Sequence, residues 1–68
     1  MKVTISKSDE SYSAYIAKKD LEEPVVTVFP EGTFGGTFVL GNGWQLYIEP
    51  MDEMPTFPKT FNAKKLSI

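Results

Sequence analysis

The chain has 68 residues, 41% hydrophobic and 13% aromatic, with seven lysines, nine carboxylates and a net charge of −2. That composition belongs to a globular chain and describes a single domain, residues 1–68, which buries only about 60% of the surface its unfolded form exposes. Histidine, cysteine and arginine are all absent, which excludes disulfides, thiolate or imidazole metal ligands and histidine acid–base chemistry, while the lack of basic excess argues against nucleic acid as a partner.

The predicted elements are short strands joined by turns. Val3 and Ile5 alternate with polar groups in a first strand, and Ser8-Asp9-Glu10-Ser11 is a turn cluster leading into a second, Tyr12 to Ala17. Lys18 to Pro24 reads as a capped turn: Asp20 offers a helix cap with Glu23 three residues on, and Pro24 stops the helix within about one turn. Pro24 to Phe29 is rich in β-branched residues and forms a third strand, closed by Pro30-Glu31-Gly32. Phe34 to Ile48 is a hairpin supplying the fourth and fifth strands. Pro50 to Pro58, with three prolines, cannot sit in a central strand, and Lys59 to Leu66 makes a sixth. The expected fold is all-β: a six-strand antiparallel meander curled into a small, partly open barrel. No window is apolar for long enough to span a membrane, and the N-terminal stretch lacks the continuous apolar core of a secretion signal, so a cytoplasmic location is expected.

The hairpin turn has two possible registers, and side-chain pattern separates them. A two-residue loop at Asn42-Gly43 places Phe38 and Leu40 on the opposite face from Trp44, Leu46 and Ile48. A three-residue loop, Gly41-Asn42-Gly43, with Gly43 as a left-handed bulge, pairs Leu40 with Trp44 and Phe38 with Leu46. All five apolar groups then share one face, each removing about 1.5–3 kcal/mol worth of surface from water. Phe38, Leu40, Gly43, Trp44, Leu46 and Ile48 are therefore structural residues. Val39, Gln45, Tyr47 and Glu49 take the wetter face.

Residues able to carry chemistry are few. Glu49, Asp52 and Glu53 with Met51 and Met54 offer only hard oxygen or weak thioether ligands, so a solvated loop is the better reading and no metal or cofactor is expected. Lys18, Lys19, Asp20, Glu22 and Glu23 form either a recognition patch for a partner or a charged guard on a sheet edge. Tyr12, Tyr15 and Tyr47 are candidates to line a groove of the kind peptide-binding barrels use, or to pack across strands. Gly35-Gly36 precedes no helix and marks a bend or a close backbone approach. Without histidine, only a Ser/Lys pair could supply a nucleophile, and no spacing singles one out; no catalytic residue is assigned.

Several of these segments together resemble the NifT/FixU family of small nitrogen-fixation proteins. The resemblance rests on Met1-Lys2-Val3, on Tyr15 to Val26, on Gly35-Gly36, on Asn42-Gly43-Trp44 and on Ala63-Lys64-Lys65-Leu66. Its most specific block is Lys18 to Val26, because turn formation alone does not demand that order of charges. The chain departs from the family pattern at Phe34 and Thr37, where tryptophan is usual. The resemblance implies a role in or beside nitrogenase maturation, a process and not a mechanism. The expected function is thus a non-catalytic accessory protein that binds a nitrogenase component or assembly factor through the block Lys18 to Glu23. An alternative is iron-molybdenum cofactor assembly, in which Lys18, Lys19, Lys64 and Lys65 contact the anionic cofactor; another is a small-barrel peptide-binding module.

Overall fold

A computed structural model describes residues 1–67, with side chains through residue 66. Six strands, β1 (Lys2–Ser8), β2 (Ser11–Ile16), β3 (Leu21–Pro30), β4 (Phe34–Leu40), β5 (Gln45–Met51) and β6 (Lys59–Ser67), follow one another around a closed antiparallel barrel. Closure comes from the pairing of β1 with β6, where Val3 faces Phe61 and Ile5 faces Lys59. The six-strand antiparallel barrel expected from the sequence is what forms, closed all the way round, and among the described residues each strand pairs on both flanks. Closing a sheet on itself is the one arrangement that removes strand edges altogether.

Alternation along each strand decides what fills the interior. Val3 and Ile5 from β1, Ala14 and Ile16 from β2, Phe38 and Leu40 from β4, Leu46 and Ile48 from β5, and Phe61 and Ala63 from β6 are all buried. The hairpin takes the three-residue loop: Phe38 pairs with Leu46, the Leu40 N–H donates to the Trp44 carbonyl at 2.8 Å, and the Gly43 N–H donates to the Leu40 carbonyl at 2.9 Å. Gly43 has φ +93°, and the Asn42 side-chain oxygen accepts from the Trp44 N–H at 3.1 Å, so the bulge is locked from both sides.

One end of the barrel is plugged by aromatics. Phe34 stacks on Phe61 with ring centroids 5.3 Å apart and also meets Phe38 at 5.5 Å and Tyr12 at 6.1 Å. Phe57, carried by the proline-rich loop, lies 5.4 Å from Phe34, which ties that loop to the core. Aromatic pairs of this geometry add about 0.5–1.5 kcal/mol each beyond their buried area. Gly35 and Gly36 make the bend beside this plug. A Cβ on Gly35 would stand 2.7 Å from the Pro50 Cα, and one on Gly36 would overlap the Phe29 carbonyl oxygen. The close backbone approach expected of this pair is what the barrel contains.

Three local expectations are corrected. Asp20 does not open a capped turn: a 3-10 turn runs over Ala17–Lys19, and Asp20 closes it in the left-handed region at φ +48°, its N–H donating to the Ala17 carbonyl. Asp tolerates that conformation because its short polar side chain bonds locally. Here the Tyr15 hydroxyl donates to its Oδ1 at 3.2 Å. Consequently β3 starts at Leu21, three residues before Pro24. Pro24 sits inside a central strand because its carbonyl accepts from the Gly41 N–H, which places its missing donor on the side where the β3–β4 register is already broken between Val25 and Thr27. Likewise Pro50 belongs to the end of β5, beside the shift in register between Phe34 and Gly36, where a bulge tolerates the lost donor.

Candidate functional site

The two barrel ends differ in charge. At one end lie the start of β1, the end of β2 with the 3-10 turn, the start of β3, the Gly41-Asn42-Gly43 loop and the end of β6, bringing in Lys2, Lys18, Lys19 and Lys65 against Asp20, Glu22 and Glu23. The other end holds Asp9, Glu10, Glu31, Asp52 and Glu53 against Lys7 and Lys59. Antiparallel order makes this separation, since each connection returns to the same end two strands later.

The basic end contains a concavity of about 650 Å³, with Met1, Ile16 and Ala17 as apolar wall and Lys2, Lys18, Lys19 and Asn62 as polar rim. Beside it, half-buried Trp44 packs on the core. The Lys65 ammonium stands 3.8 Å from its ring centroid and the Lys19 ammonium 6.0 Å. A cation over an indole face contributes about 0.5–2 kcal/mol. Alternation along β6 carries the inward face from buried Phe61 and Ala63 to half-buried Lys65, opposite Leu46, and leaves Lys64 outward; the β5–β6 ladder slips only beyond Lys65, between Leu46 and Gln45.

The charged block therefore divides in three. Lys18 and Lys19 are exposed and rim the concavity. Asp20 and Glu22 flank Tyr15 on the outer wall, Glu22 directly opposite it in the β2–β3 register. Glu23 is half-buried with Oε1 against Gly41. The edge-guard reading of this block fails, because β3 is paired on both sides. Of the four lysines considered for an anionic cofactor, Lys19 and Lys65 converge on Trp44 and Lys18 joins Lys19 at the concavity. Lys64 is exposed opposite Tyr47 on the outer wall. The three tyrosines do not line one groove: Tyr12 turns inward to the aromatic plug, whereas Tyr15 and Tyr47 are on the outer wall. Tyr15 ionises above its ordinary range because its hydroxyl bonds to Asp20 and then because of that carboxylate's charge. Tyr47 is raised by burial first and by Glu31 second, its hydroxyl lying 3.5 Å from the Glu31 Oε1. Glu49, Asp52 and Glu53 do not gather, and among the described residues no cluster of three potential metal ligands forms. Nor, among those residues, is any helix long and apolar enough to cross a membrane.

Sequence reasoning missed Lys2, Asn62 and the seating of Lys65 on Trp44. The one available signal was a tryptophan directly after a tight hairpin loop, a position at a barrel rim where an indole is half-wet and open to cations.

Fold and site together define a small closed barrel with an aromatic-plugged acidic end and an open basic mouth. The NifT/FixU protein family matches residues 1–63, and the chain belongs to that family. It is 46% identical to the FixU homolog of Sinorhizobium fredii (strain NBRC 101917 / NGR234) over 66 residues, covering 97% of this chain and 87% of that protein. It is 41% identical to NifT of Azotobacter vinelandii, covering 93% and 90%. A similar match, 42% identical over 97% of this chain, occupies only 13% of Protein MosB of Rhizobium meliloti. The family name places the chain in nitrogen fixation.

Proposed function

We propose that this protein is a non-catalytic, cytoplasmic accessory of nitrogen fixation that binds a protein partner, a nitrogenase component or an assembly factor, during nitrogenase maturation. The observation that carries the reading is the exposed Lys18–Lys19 turn beside the open mouth, where side chains are free of the core and able to meet another molecule. A chain without histidine, cysteine or arginine has no ready nucleophile–base pair, which supports binding over catalysis.

The test is co-purification from cells grown on dinitrogen, comparing the wild type with the Lys18→Glu/Lys19→Glu double variant. Both residues are exposed, so the change shifts folding energetics by only tenths of a kcal/mol, about the scale of surface pairs. Like-charge contact with a partner costs several kcal/mol, on the order of a hundredfold or more in affinity. The wild type recovers nitrogenase components or their assembly factors and the variant does not. Equal recovery by both proteins contradicts the site, and recovery of neither contradicts the binding role. A second reading, contact with the anionic iron-molybdenum cofactor, draws support from Lys19 and Lys65 meeting on one indole; Lys64, on the outer wall, takes no part in it.

A further inference from the structure

We infer that the basic mouth is a docking site for an acidic peptide segment of the partner, with an apolar side chain seated between Met1, Ile16 and Ala17 and flanking carboxylates on the lysine rim. The inference rests on the partner-binding reading and deepens it by naming the chemistry recognised. Three observations converge. The concavity has an apolar wall and a cationic rim, a combination suited to an anchor residue within an acidic stretch and poorly matched to a bare anion. Next to it the Trp44 ring is flanked by Lys19 and Lys65, so the cationic rim continues beyond the concavity along an aromatic surface.

The third observation is the charge separation along the barrel axis. The carboxylates at the mouth are held to the side, Asp20 and Glu22 about Tyr15 and Glu23 against Gly41. Those at the far end repel an acidic segment that approaches wrongly. Such a field steers encounter and weakens with salt. The volume of about 650 Å³ falls in the range of pockets that enclose one ligand group of a few residues.

Trp44 is the only tryptophan, so its fluorescence reports on the mouth. The probes are an eight-residue peptide of glutamates with one central leucine, the same peptide with leucine replaced by glycine, and citrate. The leucine peptide gives saturable change at low salt, weakened at least tenfold by Lys19→Glu and several-fold by Lys65→Gln, a milder change that spares the half-buried site. Lys7→Glu/Lys59→Glu, a larger charge change at the far end, leaves binding within twofold. Near-UV circular dichroism verifies that each variant is folded. The glycine peptide binds at least fivefold more weakly, and citrate more weakly again.

Citrate binding as tightly as the leucine peptide overturns the peptide assignment. Equal loss from changes at both ends, or no saturation by the leucine peptide, overturns the mouth as a site. Failure here with partner capture intact in cells leaves the binding role standing on another surface; peptide binding without any capture in cells overturns the binding role instead.

Discussion

Replacing Gly36 by alanine isolates the backbone constraint on which closure of the barrel depends. Gly36 has φ +100°, and an added Cβ would overlap the Phe29 carbonyl oxygen while standing 2.9 Å from the Glu31 nitrogen. Both neighbours are backbone of the adjoining strand and its loop, so no side chain can swing aside. Holding a non-glycine residue in that conformation costs about 1–3 kcal/mol, and forcing the two strands apart adds about 1–3 kcal/mol. A domain of this length is stable by about 3–10 kcal/mol at typical values per residue. Gly36→Ala therefore removes much or all of the folding free energy. Gly43→Ala is the control: its φ is +93°, but nothing lies within 4 Å of the added Cβ, leaving only a left-handed penalty of about 1–2 kcal/mol. Urea unfolding followed by Trp44 fluorescence reads both. With a slope near 1 kcal/mol per molar, Gly36→Ala lowers the midpoint by about 2 M or more, and Gly43→Ala by about half as much or less. Equal losses, or a Gly36→Ala midpoint within 1 M of wild type, refute the close-approach argument.

Phe38 is 1% exposed at the centre of the core, so Phe38→Ala costs about 3–5 kcal/mol, whereas half-buried Trp44 at the rim gives up less on truncation; urea midpoints by circular dichroism check the order. Tyr15 holds its proton above the ordinary range in the folded state, so its contribution is fully present below the unfolded value of about 10 and is lost as pH rises through the folded one. Asp20→Asn accordingly brings Tyr15 ionisation to lower pH in a phenolate absorbance titration, and earlier ionisation in the wild type contradicts the hydrogen bond. With only carboxylates and thioethers to offer, the protein binds zinc, iron or copper no more tightly than scattered surface carboxylates do, and a stoichiometric tight site by calorimetry contradicts this.

The fold was legible where a local rule had one answer. Period-two alternation in Val3–Ile5 and Leu46–Ile48 named inward faces, and the apolar set around Gly41-Asn42-Gly43 selected one register from two. Legibility failed where a residue's usual preference was overridden by its partners. Asp20 and Glu23 have the spacing of a helix start, yet Asp20 ends a 3-10 turn because β2 and β3 must reverse there. Pro24 has the look of a strand boundary, yet its missing donor coincides with a break in the ladder that only the β4 pairing reveals. Phe34 resembled any residue opening a strand; its place in the aromatic plug depends on Phe57 and Phe61, which come from a loop and strand more than twenty residues away.

The mouth was less legible than the core for a related reason. Burial is encoded locally, since a strand that alternates declares its inner face without reference to its neighbours. Convergence of surface groups is encoded by closure. Lys19, Trp44 and Lys65 belong to three connections or strand ends that the sequence separates by more than twenty residues each. They meet because β6 returns to β1 and β5 and because Lys65, two residues past buried Ala63, keeps the inward phase of β6 opposite Leu46. A change of one residue in that phase exchanges the faces of Lys64 and Lys65 and puts the other cation on Trp44. A single insertion in β6 before Lys64 therefore tests the arrangement more sharply than removal of any one charge: composition stays almost unchanged, the inward lysine is replaced, and the Trp44 emission and the acidic-peptide affinity change together. If the emission shifts while peptide affinity holds, the ring–lysine contact is incidental to binding and the apolar wall carries the recognition alone.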